Sequence, residues 1–351
     1  MIDSLIGGGA ETTNLRLANV FLEKGYNVHL ILMRNTIDFE IDKRINLVFL
    51  DFKKNKISLL NEISYAKKLN KLLLEIEKKY GSINLKLGSL GLTHKLMNII
   101  NDDSFYYVLH GSTTKAKINQ RSGLKKLIKT YKLKKLYDKK NIICVSNGVK
   151  EDILQLNITP LWINTIYNFF DFEEIKSLSK EAMPLNVPKN YIVHVGRFAK
   201  VKRHDILIKA FSLLKDKSLN LILVGAGVEK ENSEKLVEEL NLSNRVIFAG
   251  FQKNPYPLIK NAKALVLSSD NEGFGNVLVE ALTLNTMAIS TNCPYGPKEI
   301  LPKQYLSKVS DYKDLAKVIE QNLENPLALE NNFIAKFGKD TIIKNYEQLL
   351  S

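Results

Sequence analysis

A chain of 351 residues with 45% hydrophobic side chains can bury two cores of about 170 residues each and is too long for one core of ordinary size. It has no run of 18 or more apolar residues, no basic start and no apolar leader, so a spanning helix and a secretory signal are not expected; a cytoplasmic chain, at most peripheral on a membrane, is. Two cysteines, Cys144 and Cys293, argue against a disulfide framework, and the formal charge of +14 is concentrated in residues 1–180, which hold 29 basic and 18 acidic side chains.

In chain order, the glycine turn "GGGAE" (7–11) opens a helical pattern at 10–24. Only Met1 to Ile6 precede this turn, short for a central first strand, so residues upstream of Met1 are expected. Strands follow at 27–33, 45–52, 82–88, 105–110, 141–146 and 162–169, with helices at 57–79, 91–100, 124–138 and 147–156 between them. The stretch 170–190, "DFEEIKSLSKEAMPLNVPKN", has two prolines and no strand-like run and reads as a linker. A second strand-helix series starts at 191–196 and continues at 220–225, 245–250, 264–269 and 286–290. Short apolar strands alternating with amphipathic helices predict an α/β chain of two doubly wound parallel sheets. Ligands of such sheets bind at the carboxyl ends of the strands, so the loops there are the place to look for chemistry.

One such loop is "SSDNEGFGNVLVEAL" (268–282). Glu272 and Glu280 lie eight apart around the turn Gly273-Phe274-Gly275-Asn276, which opens a helix with apolar residues at Val277, Leu278, Ala281 and Leu282. Glycines let a ligand approach the backbone closely, and the unpaired amides of a helix start attract phosphate. Glu272 then stands at the lip, and Glu280, two turns in, can accept hydrogen bonds from a vicinal diol such as ribose. The bland alternative is a helix cap and a solvated glutamate. A second loop, "HVGRFAKVKRHD" (194–205), offers Arg197 and Lys202, five apart and suited to a diphosphate or else simply solvated. His110 closes the strand "FYYVLH", where a histidine is either functional or a satisfied structural residue. The histidine and cysteine spacings match no metal site, and no D-x-D ends an apolar strand.

Together these features resemble the retaining GT-B glycosyltransferases of family GT4. The resemblance spans nearly the whole chain and rests on the E-x7-E pattern Glu272 to Glu280, Gly196-Arg197 with Lys202, "GGGAE", "CVSNGV" (144–149) and "CPYGPKEIL" (293–301). It implies two Rossmann-like domains facing across a cleft: residues 1–170 plus a C-terminal helix at about 334–351 as the acceptor domain, and 171–333 as the nucleotide-sugar domain, with the hinge near 170–190. It also implies that Arg197 and Lys202 bind the donor diphosphate, Glu280 the ribose and Glu272 the donor sugar. Gly273, Phe274, Gly275 and Asn276 would then contact sugar and phosphate through the backbone, Gly8 and Gly9 would close over the phosphates, and His110 would lie beside donor and acceptor. Glu272, His110, Arg197 and Lys202 are the implied catalytic residues. No protein base and no metal or other cofactor is required, because cations and helix amides can take the charge of the leaving diphosphate.

The implied activity is transfer of a hexose or N-acetylhexosamine from a UDP-sugar to a lipid-linked bacterial surface glycan such as lipopolysaccharide, capsule or O-antigen. A GT-B nucleotide-sugar epimerase is the alternative within enzymes. A nucleic-acid-binding protein is the alternative outside them, disfavoured because aromatics do not interleave with the basic cluster. That cluster has eleven Lys or Arg between Lys115 and Lys140 against one acid, Asp138. Within it, 124–138 sets Leu124, Leu127, Ile128, Tyr131 and Leu136 among Lys125, Lys126, Lys129 and Lys132. This pattern fits an interfacial helix on an anionic membrane, and equally an ordinary helix packing its apolar side on the sheet with its lysines in water.

Overall fold

The computed structural model describes residues 1–6, 8–53, 59–114, 118, 122–183, 186–325 and 334–350. Gly7 of the opening turn and Lys115, Lys117 and Arg121 of the basic cluster lie outside the described residues. Contacts divide the chain into two units, Met1–Tyr167 with Lys344–Ser351, and Asn168–Ile343.

The first unit runs α1 (Gly9–Glu23), β1 (His29–Leu32), β2 (Asn46–Phe49), α2 (Leu59–Tyr80), β3 (Lys86–Ser89), α3 (Gly91–Ile100), β4 (Phe105–Leu109), α4 (Gly123–Tyr137), β5 (Asn141–Cys144), α5 (Asn147–Leu154) and β6 (Trp162–Thr165). Its strands pair in parallel as β1-β2 and as β3-β4-β5-β6. Ile2 joins the two groups by bridging in parallel to both Leu32 and Ser89. The opening residues therefore hold the place of the first strand, where the spatial order reverses. Ile2 and Leu5 are fully buried against Leu15, Leu30 and Leu32, and the Met1 ammonium donates to the Leu87 carbonyl at 2.9 Å. Burial lowers the pKa of that ammonium to about 5. A cavity of about 400 Å³ lies beside it, with Phe21, Leu30, Leu73 and Leu87 among its walls.

The second unit runs α6 (Phe172–Leu178), β7 (Tyr191–Val195), α7 (His204–Leu213), β8 (Asn220–Val224), α8 (Lys230–Glu239), β9 (Val246–Gly250), α9 (Tyr256–Lys260), β10 (Ala264–Leu267), α10 (Asn276–Thr283), β11 (Met287–Thr291), α11 (Pro297–Ile300), β12 (Leu306–Ser307), α12 (Tyr312–Glu324) and α13 (Lys339–Glu347). The sheet is ordered β12-β11-β10-β7-β8-β9, all parallel. Read from β9, this is the Rossmann order 3-2-1-4-5-6, with its switch point between β7 and β10. Ile192, Val193, Leu221, Leu223, Leu265 and Val266 are all fully buried. Burial on both faces is why these strands read as continuous apolar runs rather than as an alternation.

Three features differ from the sequence reading. The stretch read as a linker contains α6, capped by the Asp171 carboxylate on the Glu174 amide, with Ile175 buried beneath it. The edge strand β12, only two residues long, is too short to leave a periodic signal. The segment 334–343 belongs to the second unit and not to the first: Phe170 N–H donates to the Phe337 carbonyl at 2.9 Å, and the fully buried Phe337 packs edge-on against Phe274 at 5.0 Å. Only the end of α13 returns to the first unit, where Glu347 pairs with Lys24 at 2.8 Å.

Candidate active site

The switch point of the second unit brings together the loops after β7 and β10. After β7 the chain passes Gly196 and the exposed Arg197, makes one 3-10 turn over Lys200–Lys202, and enters α7 through Arg203 at φ +51°. The Arg203 guanidinium holds Asp205 and Asp270 at 2.9 Å each and so ties this loop to the one after β10. Ser268 adds a second tie by donating to the Lys202 carbonyl at 2.8 Å. The result is a close pair: Lys202 Nζ lies 2.6 Å from Glu272 Oε1, which also accepts from Ser269 Oγ at 2.5 Å. Their side chains are 23% and 11% exposed, so the pair is half shielded from water. Arg197 makes no ion pair among the described residues.

Beyond Glu272 the turn is shaped by two glycines. Gly275 caps α10 at φ +98°, a region that L side chains avoid; its carbonyl takes the Leu278 amide at 2.9 Å, while the Asn276 and Val277 amides that open the helix have no acceptor within it. Gly296, at φ +77°, lies under the turn so closely that a β-carbon there would come within 2.0 Å of the Phe274 carbonyl oxygen. The Phe274 ring is 2% exposed, between Phe170 and Phe337, so this residue can offer a ligand only its backbone. Asn276 Oδ1 accepts from Asn168 at 2.7 Å. Glu280 sits on the buried side of α10 at 8% exposure, with Tyr256 Oη 3.4 Å from its Oε1. A carboxylate placed among Leu278, Val279, Ala281 and Leu282 is costly to desolvate, a cost that a packing role does not explain.

Beneath these loops lie groups to which sequence reasoning gave no individual role. Cys293 is buried, and its thiol is pushed up to about 12 by desolvation and by the Glu272 charge. His194 donates from Nδ1 to the Val266 carbonyl at 2.8 Å, and its ring meets His204 at 4.6 Å; His204 stacks on Phe198 at 4.1 Å. Burial lowers His194 to about 4 and His204 to about 2, so both are neutral at pH 7.

In the first unit, Gly8 is extended (φ −153°) and caps α1, and Gly9 is exposed in the first turn, with Glu11 one residue beyond the next. His110 follows β4, and its Nε2 lies 3.1 Å from Ser89 Oγ and 3.3 Å from Asn14 Nδ2. The loop after it is fixed by the fully buried Asp152 of α5, which accepts from Ser112, from the Thr113 amide at 2.6 Å, and from the Thr114 amide and hydroxyl. Its signal was a polar residue on the apolar side of a helix, between Val149 and Ile153.

Helix α4 does not pack its apolar stripe on the sheet. Leu124, Leu127, Ile128 and Tyr131 are 71, 68, 46 and 68% exposed, whereas Leu133 and Tyr137 are buried. At about 100° per residue, the buried pair lies about 180–220° around the helix from Leu124. Lys125 and Lys132 flank the exposed stripe, whereas Lys126 and the half-buried Lys129 turn toward the opposite side. Among the described residues no helix is long and apolar enough to cross a membrane, and no three potential metal ligands lie together.

The family model "Glycosyl transferases group 1" matches residues 175–340. The chain is also 31% identical over 305 residues to the N-acetylgalactosamine-N,N'-diacetylbacillosaminyl-diphospho-undecaprenol 4-alpha-N-acetylgalactosaminyltransferase of Campylobacter jejuni, covering 85% of this chain and 81% of that one. It belongs to the group 1 glycosyltransferases. This glycosyltransferase is also 28% identical to the lipopolysaccharide core biosynthesis glycosyltransferase LpsE of Rhizobium meliloti, over 60% of its own length and 64% of the relative's. Its fold matches Anabaena HepE, solved in complex with UDP, at a TM-score of 0.76 and 19% identity over 99% and 97% of the two chains. The glycosyltransferase is thus an enzyme of the GT-B fold class, with a Rossmann-like sheet in each unit.

Proposed function

We propose that this chain is a retaining, metal-independent transferase that moves a hexose or N-acetylhexosamine from a UDP-sugar to a lipid-linked bacterial surface glycan. The carrying observation is the constellation at the second unit's switch point: Lys202 held at Glu272, the glycine turn that opens α10, and the buried Glu280. In this reading Glu280 accepts the two ribose hydroxyls. Arg197, Lys202 and the first amides of α10 take the charge that develops on the departing diphosphate. An ammonium has three protons, so Lys202 can keep Glu272 and still donate to a phosphate oxygen. Glu272 in turn receives a donor-sugar hydroxyl beside the reacting carbon, with Gly273, Phe274, Gly275 and Asn276 contributing backbone. Gly8, Gly9 and His110, which the resemblance also implies, belong to the first unit.

UDP is favoured by its presence in the complex of the Anabaena protein. A lipid-linked acceptor is favoured by the diphospho-undecaprenol in the name of the Campylobacter relative, and a surface glycan by the lipopolysaccharide core named for the Rhizobium one. Retention is favoured by the alpha linkage in the name of the Campylobacter relative. For work on such an acceptor, the exposed stripe of α4 flanked by Lys125 and Lys132 suits the anionic inner face of the cytoplasmic membrane, entered from the cytoplasm. The test is a screen of UDP-, GDP- and ADP-sugars in EDTA against undecaprenyl-diphosphate glycans, with the anomeric proton coupling of the product read by NMR. An α product from a UDP-sugar supports the reading; a β product, or an absolute need for divalent metal, contradicts it.

A further inference from the structure

The residue that follows Lys202 is fixed from three directions. Arg203 enters α7 at φ +51° and ψ +49°, a left-handed conformation that glycine takes without strain and other residues do not. Its guanidinium meets the Asp205 carboxylate in a two-bond fork, Nε to Oδ1 and Nη2 to Oδ2, at 2.9 Å each. Nη1 donates to Asp270 Oδ2 at 2.9 Å and to Ser310 Oγ at 2.8 Å, and Ser310 Oγ gives its own proton to Asp270 Oδ1 at 2.7 Å. One side chain thereby joins the loops that follow β7, β10 and β12. The two residues before it meet the β10 loop through single neutral hydrogen bonds: the Asp270 amide donates to the Val201 carbonyl at 2.9 Å, and Ser268 Oγ to the Lys202 carbonyl at 2.8 Å. The contact through Arg203 is charge-assisted, and its planar fork fixes direction as well as distance.

Two ion pairs therefore run side by side between the same two loops. Lys202 reaches Glu272 at 2.6 Å, and its neighbour Arg203 reaches Asp270, two residues before that glutamate, at 2.9 Å. A diphosphate that draws on the Lys202 ammonium loosens the first pair and leaves the second intact. We infer that Arg203, together with Asp270, is a positioning residue that holds the Lys202 backbone against the β10 loop, so that the ammonium can turn from Glu272 to the leaving diphosphate without the loops parting. The diphosphate in this statement rests on the function proposed above; the hold on Lys202 does not. A lysine at 203 would bring a point charge and could not repeat the fork.

Isothermal titration of UDP on Arg203→Gly, on Lys202→Ala and on the double variant tests the inference. Glycine suits the left-handed backbone at 203 and removes only the fork, so the variant is expected to fold, with Tm as the check. Its UDP dissociation constant should rise about tenfold, because a small displacement of a binding group is expensive. Made on top of Lys202→Ala, the same change should alter the constant by no more than about twofold, since the arginine acts through the lysine. Penalties that simply multiply, as for two unrelated structural defects, overturn the inference, and so does an unchanged constant in Arg203→Gly. Asp270→Asn, which keeps the shape of that side chain and removes its charge, should show the same non-additivity and decides the question if Arg203→Gly does not fold. Wild-type protein that binds no UDP removes the function reading, and thermal denaturation then reads the hold alone. The coupling between Lys202→Ala and Glu272→Gln should shrink in the Arg203→Gly background; coupling of undiminished size overturns it.

Discussion

Lys202 and Glu272 are seventy residues apart in sequence and 2.6 Å apart in space, each supplied by a loop at the point where the strand order of the second unit reverses. The pair couples the group assigned to the leaving diphosphate with the group assigned to the sugar, so disturbing either one acts on both. Glu272→Gln keeps a contact for Ser269 but releases Lys202 from its counter-charge. UDP affinity is therefore expected to hold or rise in this variant while kcat falls by about 100-fold, as for loss of a group acting in the transition state. Calorimetry and steady-state kinetics on one preparation give both numbers.

Lys202→Ala is expected to cost both stability and function. It leaves a carboxylate at 11% exposure with Ser269 as its remaining described side-chain partner, a loss of about 1–3 kcal/mol. At about 2–4 °C per kcal/mol for a unit of this size, Tm drops by several degrees. The double variant with Glu272→Gln should recover part of that loss, which a double-mutant cycle in thermal denaturation measures.

Gly296 touches no ligand in this account, yet Gly296→Ala should weaken donor binding. The new β-carbon would lie 2.0 Å from the Phe274 carbonyl in a backbone region that alanine avoids, so the turn must move. The strain is about 1–3 kcal/mol, with the clash added to it. The expected result is a lower Tm together with at least tenfold weaker UDP binding.

His194 and His204 predict an acid limb in stability. Their folded pKa values, about 4 and about 2, lie below the unfolded value of about 6.5, so the unfolded chain takes up protons that the folded one refuses. Their contribution is complete above pH 6.5 and is lost as pH falls from there toward 4, at up to about 1.4 kcal/mol per pH unit for each ring. His204→Phe, which preserves the stacking on Phe198, should flatten Tm against pH between 6.5 and 4.5.

The exposed stripe of α4 predicts flotation with vesicles containing phosphatidylglycerol and none with phosphatidylcholine alone. Leu127→Glu should abolish it. Removing Lys125 and Lys132 together should weaken it about 30-fold, at about 1 kcal/mol per lysine near the surface, with a matching sensitivity to salt. Binding that ignores these changes places the contact elsewhere.

Strands such as β7, β8 and β10 were legible because their apolar runs are local and buried, and the turn from Gly273 to Asn276 because glycines between a strand and a helix have few other uses. The pairing of Lys202 with Glu272 was not legible, since nothing within either loop encodes the strand order that joins them. The same holds for Asn14, Ser89 and His110, and for the ties from Arg203 to Asp270. Periodicity located α4 but not which side of it is covered: Leu133 and Tyr137 are buried, and the longer apolar stripe faces solvent. The segment 334–343 falls in the second unit, while 344–351 stays with the first as read, because Phe337 is drawn to the Phe170 backbone and the Phe274 ring, a tertiary preference with no local mark.

The central claim is that the second unit binds UDP through Glu280 and two cations without metal. Isothermal titration of UDP in EDTA, on wild type and on Glu280→Ala, tests it most directly. Loss of charge-assisted hydrogen bonds to ribose is worth about 1.5–3 kcal/mol, so the account predicts metal-independent binding that weakens by about 10- to 100-fold in the variant. Equal affinity in the two proteins, or binding that appears only when divalent metal is added, would contradict it.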